Sequence, residues 1–265
     1  VMGICNVTPD SFSDGGMHAT ASEALEHAKK LIAAGADIID VGGESTRPGA
    51  EEVPPEVEIA RVLPVVRELV SHGVAVSVDT RHASVAEVCV DAGACIVNDV
   101  SGFRSADMRE VAARGDAGLV VMHMRGTPKT MQDAPAYDDV VHEVEQEMMR
   151  MVTRLTTEGV EPGRICLDVG IGFGKNVMHN LALVQATAHF AELGFPLMAA
   201  VSRKSFIGAM SAESIPAMRD RASALCAAFM VDQGARIVRV HDVATTREML
   251  RDSHRVVIGL GSNMG

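Results

Sequence analysis

Short apolar runs rich in β-branched residues alternate with stretches whose apolar positions recur every three or four residues, and the alternation continues down the whole chain. The runs predict strands at Met2–Val7, Asp37–Gly43, Val74–Thr80, Cys95–Ser101, Gly118–Met124, Arg164–Gly170, Phe195–Ser202 and Arg236–Asp242. The segments between them predict helices at Ala21–Ala34, Pro55–Ser71, Ser84–Ala92, Ala106–Ala113, Asp138–Glu158, His179–Leu193, Arg219–Gln233 and Ala244–Arg251. Gly35, Gly73, Gly93, Gly159, Gly194 and Gly234 follow predicted helices, where a left-handed C-cap is common. Strands such as IIDVGG and LVVMHM are nearly continuous in apolar residues, as parallel strands covered by helices are. Eight such units predict an α/β fold, a single-domain (β/α)8 TIM barrel over residues 1–252 with a tail at 253–265. A doubly wound open sheet is the alternative. Against it, the first strand–helix turn lacks G-x-G-x-x-G, and polar residues end nearly all the strands rather than gathering at one crevice.

Two connections are long, Thr8–Thr20 and Glu44–Pro55. Both follow strands, which puts both on the catalytic rim of a barrel, and both are rich in Gly, Pro, Ser and Asp. They read as binding loops or lids rather than solvated excursions. The strand ends carry the remaining signal: Asn6, Asp40, Asp79, Asn98 with Asp99, Met122 to Met124, Asp168, Ser202 to Lys204, and Arg239 with His241 and Asp242. A charge among Val, Ile and Leu is expensive to bury without a partner. One such residue is a satisfied core group; a set at the same end of eight strands implies a shared mouth. That mouth mixes in-plane hydrogen-bonding groups suited to a flat nitrogen heterocycle (Asp79, Asn98, Asp168) with groups suited to a diphosphate (Arg47, Arg239, His241). Asn6 offers an oxygen to Mg²⁺, an ion that keeps waters and a substrate phosphate.

Composition narrows the classes. Apolar residues make up 47% of 265 residues, enough for a large core. The formal charge is −11, with only seven Phe and one Tyr, which argues against a nucleic-acid surface built on phosphate contacts and base stacking. No apolar run approaches a membrane span and no signal-like stretch opens the sequence, so no membrane partner and a cytoplasmic location are expected. The five cysteines have no zinc spacing and read as reduced thiols. Several candidates have plain structural readings: Asp79 as a helix cap, His123 as a packed strand-end imidazole, Lys204 as a surface charge, Glu51, Glu52, Glu56 and Glu58 as a solvated acidic face, and Asp138 and Asp139 as helix N-terminal charges. The run GIGFGK lacks phosphate-loop spacing.

Taken together, NVTPDSFSDGG (Asn6–Gly16), DVGGESTRPGA (Asp40–Ala50), VSVDT (Val76–Thr80), VNDVSG (Val97–Gly102), VMHMRGTPKTMQ (Val121–Gln132), GIGFGKN (Gly170–Asn176), SRKSFIG (Ser202–Gly208) and RVHD (Arg239–Asp242) resemble the motifs of the dihydropteroate synthases, sulfonamide-target enzymes of bacterial folate synthesis. The resemblance implies a TIM barrel, a homodimer, and a Mg²⁺-assisted condensation of 6-hydroxymethyl-7,8-dihydropterin diphosphate with 4-aminobenzoate. By motif it places the pterin on Asp79, Asn98, Met122, Asp168 and Lys204. It places the diphosphate on Asn6, Thr46, Arg47, Arg239 and His241, with Asn6 the metal ligand. The aminobenzoate falls to Phe12, Pro48, Phe173, Lys204 and Ser205, and catalysis to Asp79, Asp168, Lys204 and Arg239. Val169 stands where the family has proline, with a modest effect expected on the loop that follows. A pterin-binding methyltransferase barrel and a non-catalytic binding module are the competing readings; the two long loops and SRKS favour the synthase. The tail RVVIGLGSNMG (Arg255–Gly265) resembles the start of hydroxymethyldihydropterin pyrophosphokinase, which suggests a fusion of the two.

Overall fold

The structure is a computed structural model that describes residues 1–8, 17–45 and 52–251. Its strands are β1 (Met2–Asn6), β2 (Ile38–Gly42), β3 (Ala75–Asp79), β4 (Ile96–Asp99), β5 (Gly118–Met122), β6 (Ile165–Asp168), β7 (Met198–Ala199) and β8 (Ile237–Val240). Its helices are α1 (Met17–Ala33), α2 (Pro55–Ser71), α3 (Ala83–Asp91), α4 (Ala106–Arg114), α5 (Val140–Thr157), α6 (Val177–Gln185), α7 (Thr187–Ala191), α8 (Ser205–Ser211), α9 (Asp220–Asp232) and α10 (243–251). All strand pairs are parallel, in the order β6-β5-β4-β3-β2-β1-β8-β7. A single parallel bridge, Leu167 to Leu197, joins the two ends of that order and closes the sheet. The predicted (β/α)8 barrel is therefore the observed fold.

Strand alternation sorts the side chains. On β1 to β8 one parity (Cys5, Val41, Val78, Val97, Val121, Leu167, Ala199, Val238) packs against the helices in the main core. The other parity points into the barrel, where Met2, Val120, Cys166, Met198 and Ala200 pack with Ile38, Ile96 and Ile237 to plug its lower half. Continuing that inward parity towards the strand C-termini reaches Asn6, Asp40, Asp79, Asn98, Met122, Asp168 and Arg239. Register aligns them: Asn6 pairs with Gly42, Gly42 with Asp79, Asp79 with Asn98, and Met122 with Asp168.

Local chemistry fixes the helix starts. Ser105 caps α4 by accepting the Met108 N–H at 3.1 Å, and Asp139 caps α5 by accepting two N–H groups, as its position in the sequence predicts. Asn176 and His179 form a reciprocal capping box at α6. The strand predicted over Phe195–Ser202 is only the two residues of β7, and three helical segments also depart from the sequence reading. The helix predicted over His179–Leu193 is two helices, α6 and α7, meeting where the buried Thr187 hydroxyl donates to the Val184 carbonyl at 2.6 Å. Helix α8 is additional, too short for its period to register in the sequence. Helix α1 begins at Met17, inside the first predicted loop.

Candidate active site

The centre of the inward set is an ion-paired cluster. Arg239 rises from a backbone position level with Met2, so its long side chain spans the height of the barrel mouth. Its Nε donates to Asp40 Oδ2 at 2.6 Å and its Nη2 to Asp79 Oδ2 at 2.6 Å. Asn98 Nδ2 donates to the same Asp40 oxygen at 3.3 Å. Asp40 is fully buried and its Oδ1 has no partner among the described residues. Two carboxylates thus share one guanidinium, and among the described residues three of its five N–H donors have no partner. Burial and the neighbouring Asp40 charge push Asp79 up to about 7, against the downward pull of Arg239. Arg239 itself is held above its ordinary value by Asp40 and Asp79, despite its burial.

Asp168 faces this cluster across the mouth. Its Oδ1 accepts the Gly170 N–H at 2.8 Å, and burial raises its pKa against the opposing charges of Lys204 and Arg239. Lys204 ends the strand-seven segment just before α8, and its Nζ lies 4.0 Å from the centre of the Phe173 ring. Burial lowers Lys204 to about 8, with Asp168 and Asp79 pulling upwards. Met122 joins Phe173, Val100, Met124 and Met131 in a separate apolar cluster beside these groups. His241 is oriented by Ser202, whose Oγ lies 2.9 Å from Nδ1 and accepts the His241 N–H at 3.1 Å. Ser205 is the exposed first residue of α8.

The predicted residues Asp79, Asn98, Asp168, Lys204, Phe173 and Arg239 are therefore brought to one mouth, with Met122, His241 and Ser205 on its rim. Phe12, Thr46, Arg47 and Pro48 lie outside the described residues, as does the tail at 253–265. Asn6 stands beside Gly42, its register partner: a Cβ on that glycine would lie 3.4 Å from Asp79 Cβ and 3.7 Å from Asn6 Oδ1. The missing side chain keeps the space beside Asn6 Oδ1 clear, and an amide oxygen is a donor that a hard cation such as Mg²⁺ accepts.

Other strand-end residues do different work. Asp79 does not cap α3, whose N-cap is His82, and Lys204 is half-buried rather than a surface charge. Asp99 has the outward parity and accepts the Ser101 and Phe103 N–H groups, so it shapes the loop after β4. Arg203 turns away into a bidentate pair with Asp220. His123 is a packed imidazole, as expected. Glu58, expected on a solvated face, is fully buried. It lies on the inward stripe of α2 with Val62, Val65 and Leu69, and its Oε2 meets His82 Nδ1 at 2.7 Å. Among the described residues, Glu44, Glu58 and His82 form the one cluster with metal-holding spacing. Arg81 already grips both Glu44 oxygens, at 2.9 and 3.0 Å, and Val53 N–H donates to one of them. The cluster is thus an ion-pair network tying the two stems of the second rim loop to the β3–α3 turn. Sequence reasoning noted Asp40 among the strand ends without giving it a role; its inward parity, two residues below Gly42, was the available signal. It also left Lys175 without a role.

Comparison with known proteins agrees with this geometry. The pterin-binding enzyme family matches residues 2–241. The chain is 46% identical over 252 residues to dihydropteroate synthase of Escherichia coli strain K12, covering 95% of this chain and 89% of that protein. Dihydropteroate synthase of Xanthomonas albilineans, solved with 4-aminobenzoic acid, superimposes with a TM-score of 0.91 at 41% identity over 96% of this chain and 92% of that one. The Yersinia pestis enzyme, solved with a sulfonamide drug complex, also gives a TM-score of 0.91 at 41% identity, covering 96% of this chain and 93% of that one.

Proposed function

This chain belongs to the dihydropteroate synthases, a family of pterin-binding transferases, and from that membership we propose how its residues condense 6-hydroxymethyl-7,8-dihydropterin diphosphate with 4-aminobenzoate to give 7,8-dihydropteroate and diphosphate. The observation that carries the proposal is the convergence of Asp79, Asn98 and Asp168 with Arg239 and Lys204 at one barrel mouth.

The pterin ring lies among Asp79, Asn98 and Asp168, which accept and donate in its plane, while Met122 covers a face. Departure of diphosphate leaves the pterin methylene electron-poor and conjugated with the ring. Carboxylates on the ring nitrogens stabilise that charge as it develops. The unused donors of Arg239, with His241, Asn6, Thr46 and Arg47, hold the diphosphate. Mg²⁺ bound through Asn6 would neutralise charge on the leaving diphosphate. Lys204 and Phe173, in their cation–π contact, form with Ser205, Phe12 and Pro48 the seat of aminobenzoate. The C–O bond to diphosphate breaks with its electron pair on the leaving group, and the amine nitrogen forms the C–N bond and gives up a proton to the departing diphosphate or to water. Sulfonamides, as in the Yersinia pestis complex, would compete for the aminobenzoate seat.

We also infer a homodimer in the cytoplasm. Met210, Ile215, Met218, Leu225 and Phe229 expose large apolar side chains on and between α8 and α9, a surface suited to a second copy. All five cysteines are unpaired, in keeping with a reducing compartment. No described helix is long and apolar enough to cross a membrane. The motif at Arg255–Gly265 supports a fused pyrophosphokinase, which sequencing of the coding region past Gly265 tests. The function is tested by diphosphate release from the dihydropterin diphosphate with and without aminobenzoate and Mg²⁺. Release that does not depend on aminobenzoate overturns it.

A further inference from the structure

The loop Gly170–Asn176 is built around a buried cation that the proposed chemistry does not use. Lys175 is 3% exposed and, among the described residues, its ammonium has no carboxylate in contact. It has three short partners instead: the Gly170 carbonyl at 3.0 Å, the Phe173 carbonyl at 2.9 Å and His123 Nδ1 at 3.0 Å. An ammonium has three N–H donors, so each is matched by one of these acceptors. The Gly170 and Phe173 carbonyls therefore point inward at Lys175, while the Gly172 carbonyl accepts from Gln132. Gly170, Gly172 and Gly174 all have positive φ, the turn chirality this inward wrapping requires. Space is as restrictive: a Cβ on Gly170 would lie 1.8 Å from the His123 carbonyl oxygen.

The same loop sets three site residues. The Gly170 N–H orients Asp168, Phe173 lies under Lys204, and a Cβ on Gly172 would touch the Lys204 side chain at 3.0 Å. Behind Lys175 the hydrogen bonds continue outward. His123 Nε2 lies 2.9 Å from Glu147 Oε2, and Glu147 is paired with Arg125. A carboxylate only accepts, so Nε2 must carry the proton and Nδ1 must present its lone pair to Lys175. With Glu147 ionised, the opposite imidazole tautomer would set two acceptors against each other.

We propose that Lys175 is a positioning residue for Asp168, Phe173 and Lys204, and that Glu147, by fixing the His123 tautomer, holds Lys175 in its ammonium form. The inference rests on the synthase reading only for its kinetic readout. The charged groups facing Lys175 are Asp168 from β6, Lys204 before α8, Arg125 beyond β5 and Glu147 from α5. Burial pulls Lys175 down to about 7 and His123 down to about 4, while His123 and Arg125 hold Glu147 at about 2. His123 is thus a neutral relay between a carboxylate and an ammonium whose proton is weakly held.

The test compares wild type, Glu147→Gln and Lys175→Met. Glutamine can donate to Nε2 as well as accept, which releases the tautomer. In wild type, ¹⁵N spectra of the His123 ring show Nε2 protonated and Nδ1 bare; in Glu147→Gln the Nδ1–H form appears. In condensation assays Glu147→Gln keeps wild-type kcat/KM within about twofold below about pH 6, and its alkaline fall moves roughly one pH unit lower. Lys175→Met raises KM for aminobenzoate about tenfold or more while the protein still melts cooperatively. An Nδ1–H tautomer in wild type overturns the relay without any assay. So does a Glu147→Gln loss that is equal at all pH values, the signature of a merely structural role. Wild type inactive in condensation but with the expected ¹⁵N pattern would sink the synthase reading and keep the relay.

Discussion

Replacing Asp40 by Asn tests the central cluster most directly, because it removes a charge while keeping the shape. Asp40 touches Arg239 and Asn98, and its loss as an anion leaves Asp79 as the one carboxylate on the Arg239 guanidinium. The Asp40 and Asp79 oxygens each sit 2.6 Å from nitrogens of that one guanidinium, so the two carboxylates are about 5 Å apart. At an effective dielectric near 20, like charges at that distance repel by about 3 kcal/mol, or roughly two pH units as an upper bound. The intervening Arg239 charge screens part of this, so about one unit is expected. The sign follows from the raised pKa of Asp79, about 7. If the ionised carboxylate binds the pterin ring, kcat/KM rises with pH through that value in wild type. Taking away the Asp40 charge makes Asp79 ionise more easily, so the acid limb of Asp40→Asn lies about one unit lower. The assay is aminobenzoate-dependent diphosphate release from pH 5 to 9, with the melting temperature as a control for folding. An acid limb that stays where it was, or moves upwards, in a folded variant would refute the reasoning.

Other outcomes follow from the same contacts. Asp79→Ala abolishes condensation with the fold retained; a folded variant with near-normal turnover, judged by circular dichroism and rate, contradicts the assignment. Phe173→Leu removes the ring beneath the Lys204 ammonium, a contact of about 0.5–2 kcal/mol, and should raise KM for aminobenzoate roughly 2- to 30-fold with pterin affinity nearly unchanged, as titration calorimetry would read. His82 has a pKa raised by its bond to buried Glu58, so the stability it adds is complete below about 6.5 and is lost as pH rises through the folded value. The gap in urea midpoint between wild type and His82→Gln should therefore narrow from pH 6 to pH 9. Gly170→Ala drives a methyl into the His123 carbonyl and should yield little folded protein, or one destabilised by more than about 3 kcal/mol in urea.

The strands were readable because burial on both faces writes a nearly unbroken apolar run, and a polar residue at the end of such a run stands out. That signal located Asp79, Asn98, Asp168 and Arg239. It did not separate residues that enter the mouth from those that leave it. Asp99 and Arg203 also end strands, yet one shapes a loop and the other pairs with Asp220, because strand parity and a positive φ at Arg203 aim them elsewhere. Glu58 was misread for a related reason: a charge in a helix pattern looks solvated until the opposing element, here His82, is known. Lys175 was hidden by its glycines, which suggest an anion cradle by their N–H groups, whereas the fold turns the Gly170 and Phe173 carbonyls onto a cation.

The closure of the barrel is uneven. Strands β1 to β6 are joined by ladders of three to five paired residues, but β7 contributes two residues, and beyond them the joint with β6 is one bridge and the hydrogen bond from Leu167 N–H to the Pro196 carbonyl. A hoop stitched so thinly on one side breathes there first, and amide exchange along that edge should outpace the rest of the sheet. Asp79 and Asn98 stand on the stiff wall, whereas Lys204 follows the thin stave. On the proposed reading the pterin bicycle is held between the stiff wall of Asp79 and Asn98 and the thin seam beside Asp168, and the aryl amine meets the thin stave through Lys204. A mouth divided in this way should loosen first on the side of Asp168 and Lys204.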